Sequence, residues 1–221
     1  MKKSENIFES LTVAVILSLS GGFMDAYSYV CRGKVFANAQ TGNILLFGVN
    51  LSTGNFIEAL RYICPVAAFA AGIAAADILR HLFREKKNIH WHQTAVLTEA
   101  AILFAVAFIP QNLNLAANSL TSFACGIQVE SFRKVNGIGI ATTMCIGNLR
   151  TAVQSLCSYG FEKIPQLKES SLLHFGIIAV FTLGAVTGNI CVEFLHEKAI
   201  IVSTLLLFSG YIIMHCNQKN T

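Results

Sequence analysis

The chain has 221 residues, 54% of them hydrophobic and 13% charged, against about 25% charged residues in an ordinary soluble domain. Mean hydropathy is +0.58, and apolar stretches near the ~20 residues that cross a hydrocarbon core recur along it. This excludes disorder, a secreted disulfide scaffold and a nucleic-acid-binding module, because the net charge of +4 is small and spread over loops; a single polytopic helical membrane domain over residues 1–221 is expected.

Lys2 and Lys3 precede the first apolar run, which continues without an A-x-A cleavage pattern and reads as a retained helix over residues 11–30. Arg32, Gly33 and Lys34 break it. A shorter segment, 35–51, is polar in its first half (Asn38, Gln40, Thr41, Asn43) and ends in the turn-like cluster 52–55. Residues 59–79 form the next helix, with Pro65 tolerable in a membrane bundle. A basic loop, 80–92, leads to a helix over 94–109 that stops at Pro110. The second set comprises 115–132, 138–156, 172–194 and 199–214, with a polar linker at 160–170. Cys64, Cys125, Cys145, Cys157 and Cys191 lie inside apolar runs and read as packing residues. The total of seven cysteines is odd, and no CxxC spacing occurs. His81, His90 and His92 have no thiol partner in their loop, so neither a metal nor a cofactor is expected.

The two sets of elements align. At an offset of 105 residues Gly21 matches Gly126, Asp25 matches Glu130, Gly42 matches Gly147 and Asn43 matches Asn148. After seven more residues of linker, Phe69, Gly72 and Ala76 match Phe181, Gly184 and Gly188. An acid followed at equal distance by Gly-Asn in both halves points to an internal duplication, with repeats of about 8–112 and 113–216.

Basic residues concentrate on the cytoplasmic side of a membrane protein. With six spans, two short segments that do not cross and the N-terminus inside, twelve of the sixteen Lys and Arg residues fall inside; only Arg32, Lys34, Arg61 and Lys198 fall outside. An eight-span alternative divides them nine to seven. Six spans fit better, and three per half invert the repeats.

An ionisable group at membrane depth is costly and faces the bundle interior or a watery cavity. Asp25 and Glu130 are the leading candidates; the competing reading has them near helix ends, paired with Arg32 or Arg133. Gln128 lies two residues before Glu130, and Arg133 three after it, on the same helical face. Asp77 and Glu99 read as interfacial, His174 as a hydrogen-bonded structural group, and Tyr27, Tyr29, Trp91 and Tyr159 as interface anchors. Thr41-Gly42-Asn43 and the stretch from Thr142-Thr143 to Gly147-Asn148 have the composition of helix breaks. Such a break leaves backbone N–H groups unpaired, which Thr and Asn can cap and Gly can accommodate. In the competing reading Gly42 and Gly147 are close-packing notches, with Asn43 and Asn148 bonding across helices.

At these residues the chain resembles the YoaK family of small bacterial integral membrane proteins, whose shared domain has no established function. The likeness covers about residues 7–214. It rests on Gly22, Asp25-Ala26, Phe36 and Thr41-Gly42-Asn43, then Gly126, Gln128, Arg133, Thr142-Thr143 and Gly147-Asn148. Members carry Asn after that Gln and Thr before the second Gly-Asn, where this chain has Val129 and Ile146. The resemblance implies an all-α bundle of about six spans in a bacterial inner membrane, and the charge count puts both termini in the cytoplasm.

The function expected is passage of an unidentified small solute, by transporter or channel, through a lipid-embedded bundle that pairs as a homodimer. The pathway candidates are Asp25, Thr41, Gly42, Asn43, Gln128, Glu130, Arg133, Thr143, Gly147 and Asn148. The alternative is a membrane scaffold or assembly factor. No Ser/His pair, HExxH or GxGD-like acid pair is present, so an enzyme is not expected.

Overall fold

The computed structural model describes residues 7–83 and 91–218. Eight α-helices occur among them: α1 (Leu11–Cys31), α2 (Gln40–Ser52), α3 (Phe56–Phe83), α4 (Trp91–Val106), α5 (Asn114–Ser131), α6 (Cys145–Glu162), α7 (Pro165–Leu195) and α8 (Ile200–Gln218). Between α5 and α6 lies a two-residue hairpin, β1 (Lys134–Val135) with β2 (Ile138–Gly139). By length and composition, Leu11–Cys31, Phe56–Leu82 and the stretch Pro165–Asn217 are apolar enough to cross a membrane. The last of these contains both α7 and α8.

Local chemistry sets the helix limits. Ser10 caps α1 by accepting the Val13 amide at 3.3 Å, one of the first-turn donors that has no partner inside the helix. The polar linker expected at 160–170 is instead helical except at its centre: α6 runs to Glu162, Lys163 takes a left-handed conformation, and Pro165 starts α7. Proline suits that place, since its missing amide would be unpaired there anyway. The expected helical segments 35–51 and 138–156 are helical only in their second parts. Residues 35–39 and 140–144 run irregularly.

Hydrogen bonds fix which helix ends lie together. Arg61, early in α3, donates to the carbonyl of Gly33 at 2.9 Å, just beyond α1, so α2 has turned back to the level where α1 stopped. Arg32 is 1% exposed and donates to the carbonyls of Val106 and Ile109 (3.0 and 2.8 Å), to Asn114 Oδ1 (3.2 Å) and to the Tyr27 hydroxyl (2.8 Å). It thus caps the C-terminal end of α4, where unpaired carbonyls and the negative end of the helix dipole favour a cation. Tyr27 in turn donates to the Glu197 carbonyl at 3.0 Å, which brings in the turn between α7 and α8. Far from anchoring the protein in an interface, Tyr27 is fully buried.

At the opposite end Phe8 stacks on His92 with centroids 4.6 Å apart, and His92 packs on Phe132 at 5.3 Å. This gathers the starts of α1 and α4 with the end of α5. Helices α1, α4 and α7 therefore run one way and α3, α5 and α8 the other. Helix α6 leaves and rejoins the His92 end, as α2 does the Arg32 end.

Two backbone-to-backbone contacts hold the long helices. A Cβ on Gly22 of α1 would lie 1.9 Å from the Phe181 carbonyl oxygen of α7, and one on Gly184 would lie 2.1 Å from that of Leu19. Gly72 of α3 and Gly126 of α5 meet the carbonyls of Phe123 and Phe69 in the same way, at 2.1 and 2.2 Å. Absent side chains let the backbones approach closely, the usual device where hydrocarbon removes any hydrophobic drive between helices.

These contacts predict an ordered series. Gly22→Ala, Gly72→Ala, Gly126→Ala and Gly184→Ala should each destabilise the protein by the upper part of the ~1–3 kcal/mol range for overpacking, or more. Gly147, with open space where its Cβ would be, should accept Ala with unchanged or slightly raised stability. Melting of the purified variants in detergent, read by fluorescence size-exclusion, checks the order.

Candidate functional site

Beyond α1 the chain turns back along it, so that Asn38 sits beside the middle of that helix. Its backbone amide donates to Asp25 Oδ1 at 2.7 Å, and its Nδ2 donates to the Gly21 carbonyl at 3.1 Å. The amides of Ala37 and Ala39 face the same Asp25 carboxylate. Helix α2 begins one residue later with no side-chain cap of its own. Asp25, 8% exposed, therefore supplies from α1 the negative charge that the start of α2 favours.

The second irregular stretch arrives from the opposite end and meets α1 at the same depth. Thr143 packs against Gly21, its Cγ2 lying 3.2 Å from where a Cβ would stand. Gln128 of α5, fully buried, donates from Nε2 to the Leu17 carbonyl and to Thr142 Oγ1, both at 3.2 Å. Helix α6 then begins at Cys145, also without a side-chain cap. Two helix N-termini thus converge on the centre of α1 from opposite ends, and the field of Asp25 reaches Cys145. Around this point the Asn38 Oδ1, Gln128 Oε1, Thr143 Oγ1 and Ser18 Oγ atoms are buried without hydrogen-bond partners.

The Gly-Asn motifs have a definite local task. Asn43 Nδ2 donates to the Phe36 carbonyl at 2.8 Å, while its Oδ1 accepts the Phe36 amide at 3.0 Å. Asn148 Nδ2 donates to the Ala141 carbonyl at 2.7 Å. Each Asn, on the first turn of its short helix, staples the preceding stretch seven residues upstream; neither bond crosses to a different long helix. Gly42 and Gly147 have no left-handed backbone; among the described glycines that conformation belongs to Gly33, Gly54 and Gly137. Gly42 lies under the Phe36 ring and Gly147 has open space above it, so the close-packing notch does not describe Gly147. Thr41 is exposed.

Glu130 and Arg133 are not part of this convergence. They pair with each other at the His92 end, where Arg80 stands 3.6 Å from Glu130 and Arg133 3.9 Å from Asp77, while Arg80 also pairs with Asp77. The glycine contacts explain why matching Asp25 with Glu130 misleads. Gly22 and Gly126 occupy corresponding positions, as do Leu19 and Phe123, which shifts the correspondence of α1 and α5 by one residue. In that register the position matching Asp25 is Val129, not Glu130. Asp25 bonds to the Asn38 amide and Arg32 to carbonyls, so these two do not pair either.

Two buried groups escaped the sequence reading. Arg32, expected as a helix breaker on the outside or as a partner of Asp25, is instead buried and bonded to carbonyls. Glu99, expected at an interface, is fully buried on α4 with both carboxylate oxygens unpartnered; its place within the apolar run 94–109 was the available signal. His174 matches its reading, with Nδ1 2.7 Å from the Ser170 carbonyl. No group of three or more potential metal ligands occurs among the described residues; His90 lies outside them.

The chain belongs to the family described as protein of unknown function, DUF1275, which matches residues 13–213. It is similar to the UPF0700 transmembrane protein YoaK of Bacillus subtilis (strain 168), with 25% identity over 210 residues covering 89% of this chain and 90% of that one. No solved structure matches it. It is a membrane protein of that family, and the family description carries no activity.

Two outcomes follow from the site. Asp25→Ala removes the acceptor from buried amides and should cost about 2 kcal/mol, whereas Asp25→Asn, which keeps an acceptor oxygen, should lose less than half of that; thermal melting of both variants decides it. A double-mutant cycle on Glu130→Gln and Arg133→Gln should give a coupling of only about 0.3–1 kcal/mol, falling with added salt, because the Arg133 side chain is 49% exposed.

Proposed function

We propose that this protein moves a small polar solute across a bacterial inner membrane through a centre formed where α2 and α6 begin. The observation that carries this reading is the meeting of two short helices, from opposite ends of the bundle, at a buried point that holds one carboxylate and several polar atoms without partners. Irregular backbone at membrane depth is tolerated only where protein or a polar cavity satisfies it, and discontinuous helices at matching places are a usual pointer to a transport site. The unpartnered amide oxygens of Asn38 and Gln128, beside Asp25, favour a solute that offers N–H or O–H donors.

The topology we infer has six spans, α1, α3, α4, α5, α7 and α8, with α2 and α6 re-entrant from opposite sides. Support comes from the alternating directions of the six helices and from the return of α2 to the level of Gly33. An inverted two-fold repeat underlies it: α1 packs on α7 through Gly22 and Gly184, and α5 packs on α3 through Gly126 and Gly72. Both short helices also carry the same Asn staple. A cytoplasmic His92 end is supported by Arg80, Arg133, Lys134, Arg150, Lys163 and Lys168, against Arg32, Lys34, Arg61 and Lys198 at the other. Lys2, Lys3, Arg84, Lys86, Lys87 and Lys219 lie outside the described residues.

Single cysteines in a cysteine-free background test the arrangement. Positions Lys34, Gly54 and Asn112 should all label with an impermeant reagent in intact cells, and Lys168 only after permeabilisation; opposite labelling at Lys34 and Gly54 would mean that α2 crosses. For function, proteoliposomes should take up members of a panel of radiolabelled small alcohols, amides and amines. Thr143→Val, Asn38→Leu and Gln128→Leu should abolish that uptake if the variants remain folded. Absence of flux for the whole panel, with no thermal stabilisation by any member, would leave the scaffold reading.

A further inference from the structure

Glu99 lies midway along α4 with none of its surface exposed and neither carboxylate oxygen bonded. Helix α5 presents Cys125 to it, close enough for the two to interact electrostatically. Helix α8 packs against α4 and gives Leu207 and Met214 to the same buried apolar cluster, with the partly buried Tyr211 against it and stacked on His215. Helix α3 contributes Ala76 beside Ala95. On α4 itself His92 lies two turns earlier, held between the Phe8 and Phe132 rings.

The other side of Cys125 belongs to the polar centre. Its thiol lies 3.7 Å from the Met24 sulfur, the Asn38 side chain is within hydrogen-bonding reach of it, and Asp25 acts on it electrostatically. Asn38 is therefore shared: its amide holds Asp25, and its side chain adjoins the thiol that faces Glu99.

A bare carboxylate in such surroundings is far more costly than a neutral one, and two occupants can neutralise it. A hard metal cation requires about six oxygen ligands, but no group of three or more His, Cys, Asp or Glu that could hold one occurs among the described residues, and the buried α4 residues on either side of Glu99, Val96, Ala100 and Leu103, are apolar. A proton needs only the carboxylate itself. We propose that Glu99 is an exchangeable proton-binding site in the bundle interior. It holds a proton in the closed arrangement, and releases it to water as hydronium when movement at Asn38 and Cys125 opens a wet path from the polar centre. The proton returns from water by the same route, with no other reactant involved. The use of this proton as the coupling ion rests on the solute-pathway reading; the site itself does not.

Infrared difference spectroscopy on the full chain in lipid nanodiscs, with pH and deuterium oxide as the probes, tests it. Wild type should show a protonated-carboxyl C=O band at neutral pH that shifts in deuterium oxide within minutes. The band should disappear in Glu99→Gln and persist in Asp25→Asn. If Glu99→Gln fails to fold, Glu99→Asp should move the band without removing it. The proposal is overturned if wild type shows no such band, if the band ignores both Glu99 variants, if it never exchanges with deuterium, or if sodium at constant pH abolishes it. None of these readings requires a solute, so an inert Glu99 beside intact solute flux would overturn this proposal alone, and an exchanging Glu99 without flux would leave only the pathway in question.

Discussion

Every backbone amide and carbonyl at the depth of a hydrocarbon layer must find its partner within the protein, and this chain has two irregular stretches beside the middle of α1, a helix apolar and long enough to cross one. The rest of the architecture answers that demand. Around residues 35–39 the response comes from three directions: Asp25 accepts amides, the Gly21 carbonyl accepts from Asn38, and Asn43 closes the loop onto Phe36. Around residues 140–144 it is thinner, with Asn148 on Ala141 and Gln128 on Thr142. The interruptions are affordable because the segments lie against α1 and α5, whose glycines let α7 and α3 close around them.

That enclosure is rigid where the helices touch by backbone and sealed where Arg32 sits. A buried guanidinium that makes no close ion pair among the described residues, with Glu197 only within electrostatic range, is unusual until its acceptors are counted: two carbonyls at the end of α4, an amide oxygen on α5 and the Tyr27 hydroxyl. It joins α1, α4 and α5 at one end of the bundle through geometry that a lysine ammonium would not reproduce. At the other end the charges of Asp77, Arg80, Glu130 and Arg133 are substantially exposed, apart from Glu130. Such pairs contribute little to stability.

The sequence disclosed the helices well, because apolar length is a strong signal and the breaks at Arg32-Gly33-Lys34 and Pro110 are unambiguous. It also disclosed that Gly42-Asn43 and Gly147-Asn148 mark something special. Their task was not readable, since an Asn can bond across helices or along its own chain and only the path of residues 36–43 decides which. The pairing of Asp25 with Glu130 went astray by one residue: a one-residue step turns a helical position by about 100°, from the centre of the bundle to its margin. Glu99 and Tyr27 were assigned to interfaces from their distance to polar loops, but burial depends on what packs against a helix, which a linear reading does not contain.

The two halves differ most at the centre, and that difference bears on what the centre can do. Each short helix directs the positive end of its dipole inward. At α2 this end is already answered by Asp25. At α6 the corresponding position is Val129, and the buried polar groups nearby, Thr143 Oγ1 and Gln128 Oε1, have no partners. A symmetric arrangement with an acid in each half would place two carboxylates close together in a low-dielectric interior, where they could not both remain charged. Val129 carries no charge, so that conflict does not arise, and the polar groups beside the start of α6 have no partners. Asp25 thus orders one half of the centre, while Thr143 Oγ1 and Gln128 Oε1 in the other half remain buried without partners.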